Sequence, residues 1–233
     1  KAGGPPMNVF HHVALQSLKR SPARTLVTIV GIALAAALMT VVAAFGTSLL
    51  HFLVISAENK YGDWNVSFDA VDTAFVQAQA QDPQVAHTAV LENLGYATLE
   101  GVQSPEKPYL FLAGLPAASW DTLPIRLLSG RLPENDGEVL VPSHLAVKGV
   151  VSLSVGDTLT LSVGSRQAGG ISLSQADPYR PGEETLVSTT EKTYTVVGTC
   201  ERPTLEPHDA PGYTLLTTAA PPGQATSLRL FVT

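Results

Sequence analysis

The chain has 233 residues, of which 45% are hydrophobic and 15% charged, and its net charge is −6. Residues 1–57 carry four basic and no acidic side chains, whereas residues 58–233 carry ten basic and twenty acidic ones. An acidic second part without a basic patch excludes nucleic acid as the partner. Because Cys200 is the only cysteine, no intrachain disulfide can form, and we expect a buried, unreactive thiol.

The first predicted element is an amphipathic helix that begins after Asn8. Two groups of residues lie mainly on opposite faces of this helix: Val9, Phe10, Val13, Ala14 and Leu18 on the apolar face, and His12, Gln16, Lys19 and Arg20 on the polar one. This pattern is typical of a helix that lies on the inner membrane surface, with a plain extension of the next helix as the alternative. Ser21-Pro22 ends the helix, so residues 1–24 are predicted to be a cytoplasmic lead with an interfacial helix.

The second predicted element is a transmembrane helix over residues 25–56, from Thr25 to Ser56, which contain no Asp, Glu, Lys or Arg. Thirty-two helical residues would be ~48 Å long, whereas the hydrocarbon core is ~30 Å thick. Either the helix tilts strongly or its C-terminal part emerges as an extracellular stalk, and His51 favours the stalk. A cleaved signal peptide is the rival interpretation, but signal h-regions span only about 7–15 residues.

The charges around this stretch predict its orientation. Lys19, Arg20 and Arg24 precede it, and Glu58, the first acidic residue, follows it. By the positive-inside bias, the N-terminus is cytoplasmic and the residues after about 57 are extracytoplasmic, at the plasma membrane of a bacterium.

Small residues recur at every fourth position of the same stretch. They form two rows: Gly31 and Ala35, and Ala36, Thr40, Ala44 and Ser48. Such rows let helices approach closely in lipid, so we predict packing against further membrane helices, with a chance effect of Ala-rich composition as the alternative. The chain is therefore expected to be part of a larger membrane protein.

Residues 57–233 are predicted to form a β-rich extracytoplasmic domain, with a β-rich subdomain over about 101–200. The predicted strands are Trp64–Ala70, Val85–Leu91, Tyr96–Leu99, Tyr109–Leu115, Glu138–Val141, Thr158–Val163, Lys192–Val197, closed by Gly198, Tyr213–Thr218 and Leu228–Val232. Asp72 is expected to cap one short helix, and another is expected near Ser143. Residues 164–190 are rich in Gly, Ser and Pro, which predicts a mobile loop or an insertion.

Two turn motifs are predicted to have structural roles. Gly130 is expected to adopt a positive φ. Arg131 after it can pair with one of three acidic residues, Glu134, Asp136 and Glu138. Gly156-Asp157 is expected to form a tight turn into the following strand.

The sequence contains no signature of catalysis or nucleotide binding. No Gly-Lys pair occurs, so a P-loop is excluded, and Gly-x-Ser-x-Gly and His-Glu-x-x-His are also absent. The histidines show no metal-ligand spacing. We therefore predict that the chain is not an enzyme and binds no metal or cofactor.

Three segments resemble the FtsX-like permease family with a MacB-type extracytoplasmic domain. They are residues 14–40 (ALQSLKRSPARTLVTIVGIALAAALMT), Leu128–Pro133 followed by Glu138–Val141, and Val155–Leu161 followed by Tyr194–Gly198. The resemblance implies an α+β membrane protein in which one long transmembrane helix precedes a β-rich mixed extracytoplasmic domain.

The same resemblance implies the permease subunit of an ABC transporter, in which a separate ATPase subunit binds ATP. It implies export of peptides, antibiotics or lipids, or mechanotransmission, with further membrane helices or a second permease copy and membrane lipids as partners. The helix that couples such permeases to the ATPase does not occur in this chain. A single-span anchored module that binds or senses a ligand is the alternative hypothesis.

Overall fold

The computed structural model describes residues 21–221 and 223–233, apart from the side chains of residues 59–61. The predicted interfacial helix, with Lys19 and Arg20, lies outside the described residues. The described chain divides into two compact units between Ser56 and Ala57.

A single helix, α1 (Pro22–Tyr61), accounts for the described part of the first unit and extends beyond both ends of the predicted 25–56 span. Every residue between Leu26 and Phe45 is exposed, although most are apolar. The segment Pro22–Glu58 is long and apolar enough to cross a membrane. The Thr40 hydroxyl donates to the Ala36 carbonyl at 2.9 Å, so this polar group is satisfied within the helix, as a hydrocarbon environment requires.

The described part of the second unit consists of ten strands, three short helices and the end of α1. The strands are β1 (Val66–Val71), β2 (Thr88–Thr98), β3 (Tyr109–Leu115), β4 (Leu127–Gly130), β5 (Glu138–Pro142), β6 (Thr158–Ala168), β7 (Ile171–Leu173), β8 (Thr185–Cys200), β9 (Gly212–Thr218) and β10 (Ser227–Val232). The helices are α2 (Thr73–Ala80), α3 (Ala117–Thr122) and α4 (His144–Lys148), together with the end of α1. The predicted fold class, a long apolar helix before a mixed β-rich domain, is confirmed.

All ten strands belong to one mixed sheet with the order β1-β10-β2-β3-β9-β5-β8-β6-β7, and β4 pairs with β8. A further pairing of β2 with β6, at Tyr96 and Gly164, closes six of the strands into a ring. A Cβ on Gly95 would lie 2.6 Å from the Gly164 carbonyl oxygen, so this crossing needs glycine. The strands within 101–200 therefore share one sheet with β2, β9 and β10.

The sheet separates two hydrophobic clusters. Alternate residues of β3 point to opposite sides: Leu110 and Leu112 belong to one cluster, and Phe111 and Ala113 to the other. Every residue of β3 is buried, because both faces of this strand are covered. This explains its continuous apolar sequence and confirms the predicted strand over Tyr109–Leu115.

The prediction of two strands over Val85–Leu91 and Tyr96–Leu99 is wrong, because one strand, β2, replaces them. The residues between the two predicted strands form a β-bulge, with a register shift between Asn93 and Gly95. The Asn93 side chain accepts a hydrogen bond from the Gly95 amide at 3.0 Å, which satisfies the backbone donor that the bulge removes from the ladder.

The prediction of a loop over residues 164–190 is wrong for both ends of that segment, and residues 174–184 alone lie outside the strands and their hairpin turn. Strands β6 and β8 extend into this segment, and β7 pairs with the end of β6. Gly169 and Gly170, with φ of 57° and 82°, form the two-residue connection that such a hairpin favours. Gly198, predicted to end a strand, lies inside β8 and pairs with Gly130.

Candidate functional site

The predicted helix-packing residues all lie on α1, and all are exposed: Gly31, Ala35, Ala36, Thr40, Ala44 and Ser48. At about 100° per residue, Ala36 lies about 140° from Gly31 and about 100° from Ala35 around the helix axis. The two rows therefore face different directions around the helix axis. Arg24, the one predicted orientation anchor within the described residues, is exposed in the first turn of α1.

The Gly130-Arg131 motif forms a compact ionic turn. Gly130 adopts a φ of 77°, and Arg131 donates to both carboxylate oxygens of Glu138 at 2.7 and 2.6 Å. Glu134 lies 3.6 Å from Arg131, whereas Asp136 pairs with Lys192 at 2.7 Å instead. The hydrogen bonds from Arg131 and from the Glu134 amide lower the pKa of Glu138 to about 2.

The Gly156-Asp157 motif turns the chain into β6. Gly156 adopts a φ of 99°, and the Asp157 carboxylate accepts a hydrogen bond from the Ser154 amide at 2.7 Å. The Gly156 amide donates to the Val196 carbonyl at 2.8 Å. Both turn motifs thus stabilise strand connections.

A buried ion pair holds the segment that the sequence predicted to be a loop. Arg166 and Glu184 have wholly buried side chains and are joined by hydrogen bonds of 3.0 and 2.7 Å. Arg166 also donates to the carbonyls of Ser174 and Asp177 at 2.8 and 3.2 Å. The guanidinium lies 5.2 Å from the centre of the Tyr96 ring, a cation–π distance.

A second buried carboxylate, Glu206, lies at the centre of a cluster of basic side chains. Its Oε1 is 2.5 Å from Lys107 Nζ, 3.0 Å from His144 Nε2 and 3.0 Å from Arg202 Nε. Its Oε2 accepts a hydrogen bond from the Thr214 amide at 2.8 Å. Burial alone would raise the pKa of Glu206, but the hydrogen bond from His144 and the charge of Lys107 outweigh it and hold the pKa at about 2.

Glu206 also lines a separate cavity of about 150 Å³. The floor of this cavity is apolar and consists of the buried side chains Leu91, Phe111 and Leu205. Its rim carries Asp69 and Gln175. An apolar cavity with a few polar groups at its edge is the usual form of a small-molecule site.

Sequence reasoning missed these buried charges and the cavity. Arg166 and Glu184 lie 18 residues apart, and Glu206 contacts Lys107 and His144 across 99 and 62 residues, separations that no spacing rule connects. One sequence signal for a buried charge was available: Arg166 follows the alternating apolar residues of the predicted strand that ends at Val163. Among residues 21–221 and 223–233, no three His, Cys, Asp or Glu side chains are grouped closely enough to hold a metal ion.

Comparisons with known proteins gave matches only among solved structures. No protein-family model matches the chain. No curated protein matches it either.

Three solved structures are similar to this chain. One is a domain of a protein described as a permease, from Porphyromonas gingivalis, with 14% identity and a TM-score of 0.37; it covers 74% of this chain, which spans 62% of its length. The second is the extracellular domain of the noncanonic ABC-type transporter YknZ from Gram-positive bacteria, with 12% identity, a TM-score of 0.38 and coverage of 71% and 72%.

The third is the periplasmic region of MacB from Actinobacillus actinomycetemcomitans, with 11% identity, a TM-score of 0.37 and coverage of 75% and 77%. These neighbours are of the same kind as the proteins that the sequence motifs resemble.

Proposed function

We propose that this chain supplies the first membrane helix and an extracytoplasmic domain of the permease subunit of an ABC transporter. The observation that carries the proposal is α1, a helix of 40 residues whose apolar side chains are exposed around its whole circumference. In water such a surface would be unfavourable at about 25 cal/mol per Å². A lipid environment removes this cost.

The proposal includes a cytoplasmic N-terminus. Arg24 stands at the start of α1, and the acidic residues begin only at Glu58. The second unit carries ten basic and twenty acidic residues, so it lacks the positive charge that favours the cytoplasmic side.

In the proposed mechanism, a separate ATPase subunit binds and hydrolyses ATP at the cytoplasmic side. Its closure moves the membrane helices, and α1 transmits the movement toward the second unit. The length of α1 supports this role, because 40 residues span about 60 Å, roughly twice the hydrocarbon thickness. Export of peptides, antibiotics or lipids and regulation of an extracellular partner are the activities that such movement would serve.

The proposal also requires neighbouring membrane helices or a second permease copy. The two small-residue rows on α1 are suited to close contact in lipid on more than one side. Substituting Ala36→Leu and Ala44→Leu would hold a neighbouring helix away from one row. The conservative Leu34→Ile substitution is the matched control, because it keeps side-chain size outside that row.

The proposed function is tested by purification of the tagged, native-length protein from its own membranes in mild detergent. We expect an ATPase subunit to co-purify, with ATP hydrolysis that vanadate inhibits. The Ala36→Leu/Ala44→Leu variant should yield less of the complex with the ATPase subunit, whereas Leu34→Ile should yield as much as the wild type. Repeated isolation of the native-length protein without any ATPase would overturn the proposal. It would favour the alternative, a membrane-anchored binding module, which the apolar cavity supports.

A further inference from the structure

We propose that the 150 Å³ cavity of the second unit is a binding site for one hydrocarbon group carried by a neutral or cationic small molecule. The floor residues Leu91, Phe111 and Leu205 are each at most 7% exposed. Apolar cavities of about this volume bind benzene-sized molecules. The proposal concerns the second unit alone and does not depend on coupling to an ATPase.

Several polar groups around the cavity are hydrogen-bonded to other groups of the protein. The Thr214 hydroxyl accepts a hydrogen bond from the Gln175 amide at 3.3 Å, and the Asn93 amide donates to the Ser227 hydroxyl at 3.3 Å. A buried water needs two to four free polar partners. The Thr214 and Ser227 hydroxyls already accept these bonds, and the apolar floor of Leu91, Phe111 and Leu205 offers a water no partner.

The wall opposite the sheet is held in place by specific contacts. The Gln175 side chain bonds to both the amide and the carbonyl of Gly212, at 3.2 and 3.1 Å, as a neighbouring strand would. The turn that carries Gln175 is also held by Arg166, which donates hydrogen bonds to the carbonyls of Ser174 and Asp177. The cavity is therefore preformed, and a ligand would not have to order its wall.

The rim includes a strained backbone position. Ala70 adopts a φ of 55°, in the left-handed region that non-glycine residues rarely occupy, at the irregularity between Phe68 and Val71 in β1. Strained positions of this kind are retained where surrounding contacts enforce them, often at ligand sites. Here the strain places Asp69 and Ala70 at the edge of the cavity.

The charges at the rim favour a neutral or cationic ligand. Asp69 has a side chain that is 58% exposed, and its carboxylate lies 2.8 Å from Arg229 Nε. The Nε–H does not point at the carboxylate, so this contact is an ion pair without a hydrogen bond. Arg229 also donates to the Leu205 carbonyl at 3.1 Å, so part of its hydrogen-bonding capacity is already used. The excess of ten acidic residues in the second unit disfavours anions further.

Three probes with the same aromatic ring and different charges test the proposal: benzylamine, benzyl alcohol and benzoate. Each is titrated into the full chain in detergent micelles, with leucine methyl groups labelled for NMR. We expect saturable shifts of the Leu91 and Leu205 methyl signals for the first two, with benzoate weaker by roughly threefold or more. Absence of saturable shifts at both leucines, or benzoate binding as tightly as benzylamine, would overturn the proposal.

Two variants separate cavity binding from partition into the micelle. Leu91→Phe fills the floor, and Ala176→Phe covers the rim from an exposed position where the fold tolerates it; both should abolish the saturable Leu205 shifts. Ala78→Phe, at an exposed position on α2 that does not line the cavity, is the matched control and should bind as the wild type does. Should Leu91→Phe prevent folding, Ala176→Phe alone decides. Unchanged binding in Ala176→Phe contradicts the proposed site.

Discussion

Arg166 and Glu184 form an ion pair whose two side chains are both wholly buried, with Arg166 Nη2 2.7 Å from Glu184 Oε2. The pair lies within the stretch 164–190, whose composition indicates a mobile loop. Arg166 belongs to β6 and Glu184 directly precedes β8. The pair therefore connects the two ends of the segment between these strands. Removing one partner of such a buried pair strongly destabilises the fold, because the remaining charge is neither paired nor solvated.

The first prediction concerns this pair. Glu184→Gln leaves the Arg166 guanidinium buried without its counter-charge, so the free energy of unfolding should fall by about 3–5 kcal/mol. The double variant Arg166→Met/Glu184→Gln should be more stable than Glu184→Gln alone. Urea unfolding followed by tryptophan fluorescence measures this, since Trp64 and Trp120, the only tryptophans, both pack on the second unit's core. If the losses in free energy of unfolding caused by Arg166→Met and Glu184→Gln simply add up in the double variant, the prediction is wrong.

The second prediction concerns the pH dependence of stability. The pKa of Glu206 is about 2 in the folded chain, below its ordinary value of 4.5, so the folded state favours the ionised carboxylate. Its contribution is therefore fully present above about pH 4.5 and is lost as the pH falls toward 2, on the order of 3 kcal/mol in total. Unfolding measured between pH 6 and pH 2 should show this loss.

Glu206→Gln should remove that part of the pH dependence. Glu201→Gln changes a neighbouring exposed carboxylate and is the matched control, so its pH profile should follow the wild type. A Glu206→Gln profile as steep as the wild type between pH 4.5 and 2 would show that the Glu206 cluster does not contribute as described.

The third prediction compares two glycines with similar backbone angles. A Cβ on Gly130 would lie 2.2 Å from the Val197 carbonyl oxygen, whereas a Cβ on Gly156 would meet nothing within 4 Å. Gly130→Ala should therefore lower the free energy of unfolding by about 3 kcal/mol, from backbone strain and overpacking together. Gly156→Ala carries the strain alone and should cost about 1 kcal/mol. Equal losses in the two variants, measured by urea unfolding, would refute the close packing of Gly130 on β8.

The fourth prediction concerns Cys200, which the structure confirms as a buried free thiol. Burial and the nearby Glu206 and Glu201 carboxylates raise the pKa of this thiol to about 12, so the reactive thiolate is scarce at neutral pH. A maleimide should not label the folded chain, and labelling in urea should follow the unfolding transition. Rapid labelling of the native chain would contradict the burial of this thiol.

Local sequence signals predicted the elements whose causes are local. The Asp72 side chain accepts a hydrogen bond from the Phe75 amide at 2.8 Å and caps α2, as its position suggested. The apolar run Tyr109–Leu115 identified a strand covered on both faces. The uncharged stretch from Thr25 identified α1.

The missed features depend on contacts between distant residues. Composition over 164–190 indicates a loop, yet the segment is ordered by Arg166 and by pairing of β6 with β8. The sequence predicts two strands on either side of residues 92–95, but pairing of β2 with both β10 and β3 keeps the strand continuous through a bulge. Neither the Glu206 cluster nor the apolar cavity could be inferred from the order of residues, because their groups come from separate elements.

The central claim is that α1 crosses the membrane with its N-terminal end in the cytoplasm and the second unit outside. Labelling with a membrane-impermeant maleimide tests it in spheroplasts, using single substitutions at exposed positions, Ser21→Cys and Ala146→Cys. The buried Cys200 should stay unlabelled and serves as the internal control. We predict that Ala146→Cys is labelled in intact spheroplasts, whereas Ser21→Cys is labelled only after permeabilisation. The reverse pattern, or protection of Ala146→Cys until permeabilisation, would contradict the account.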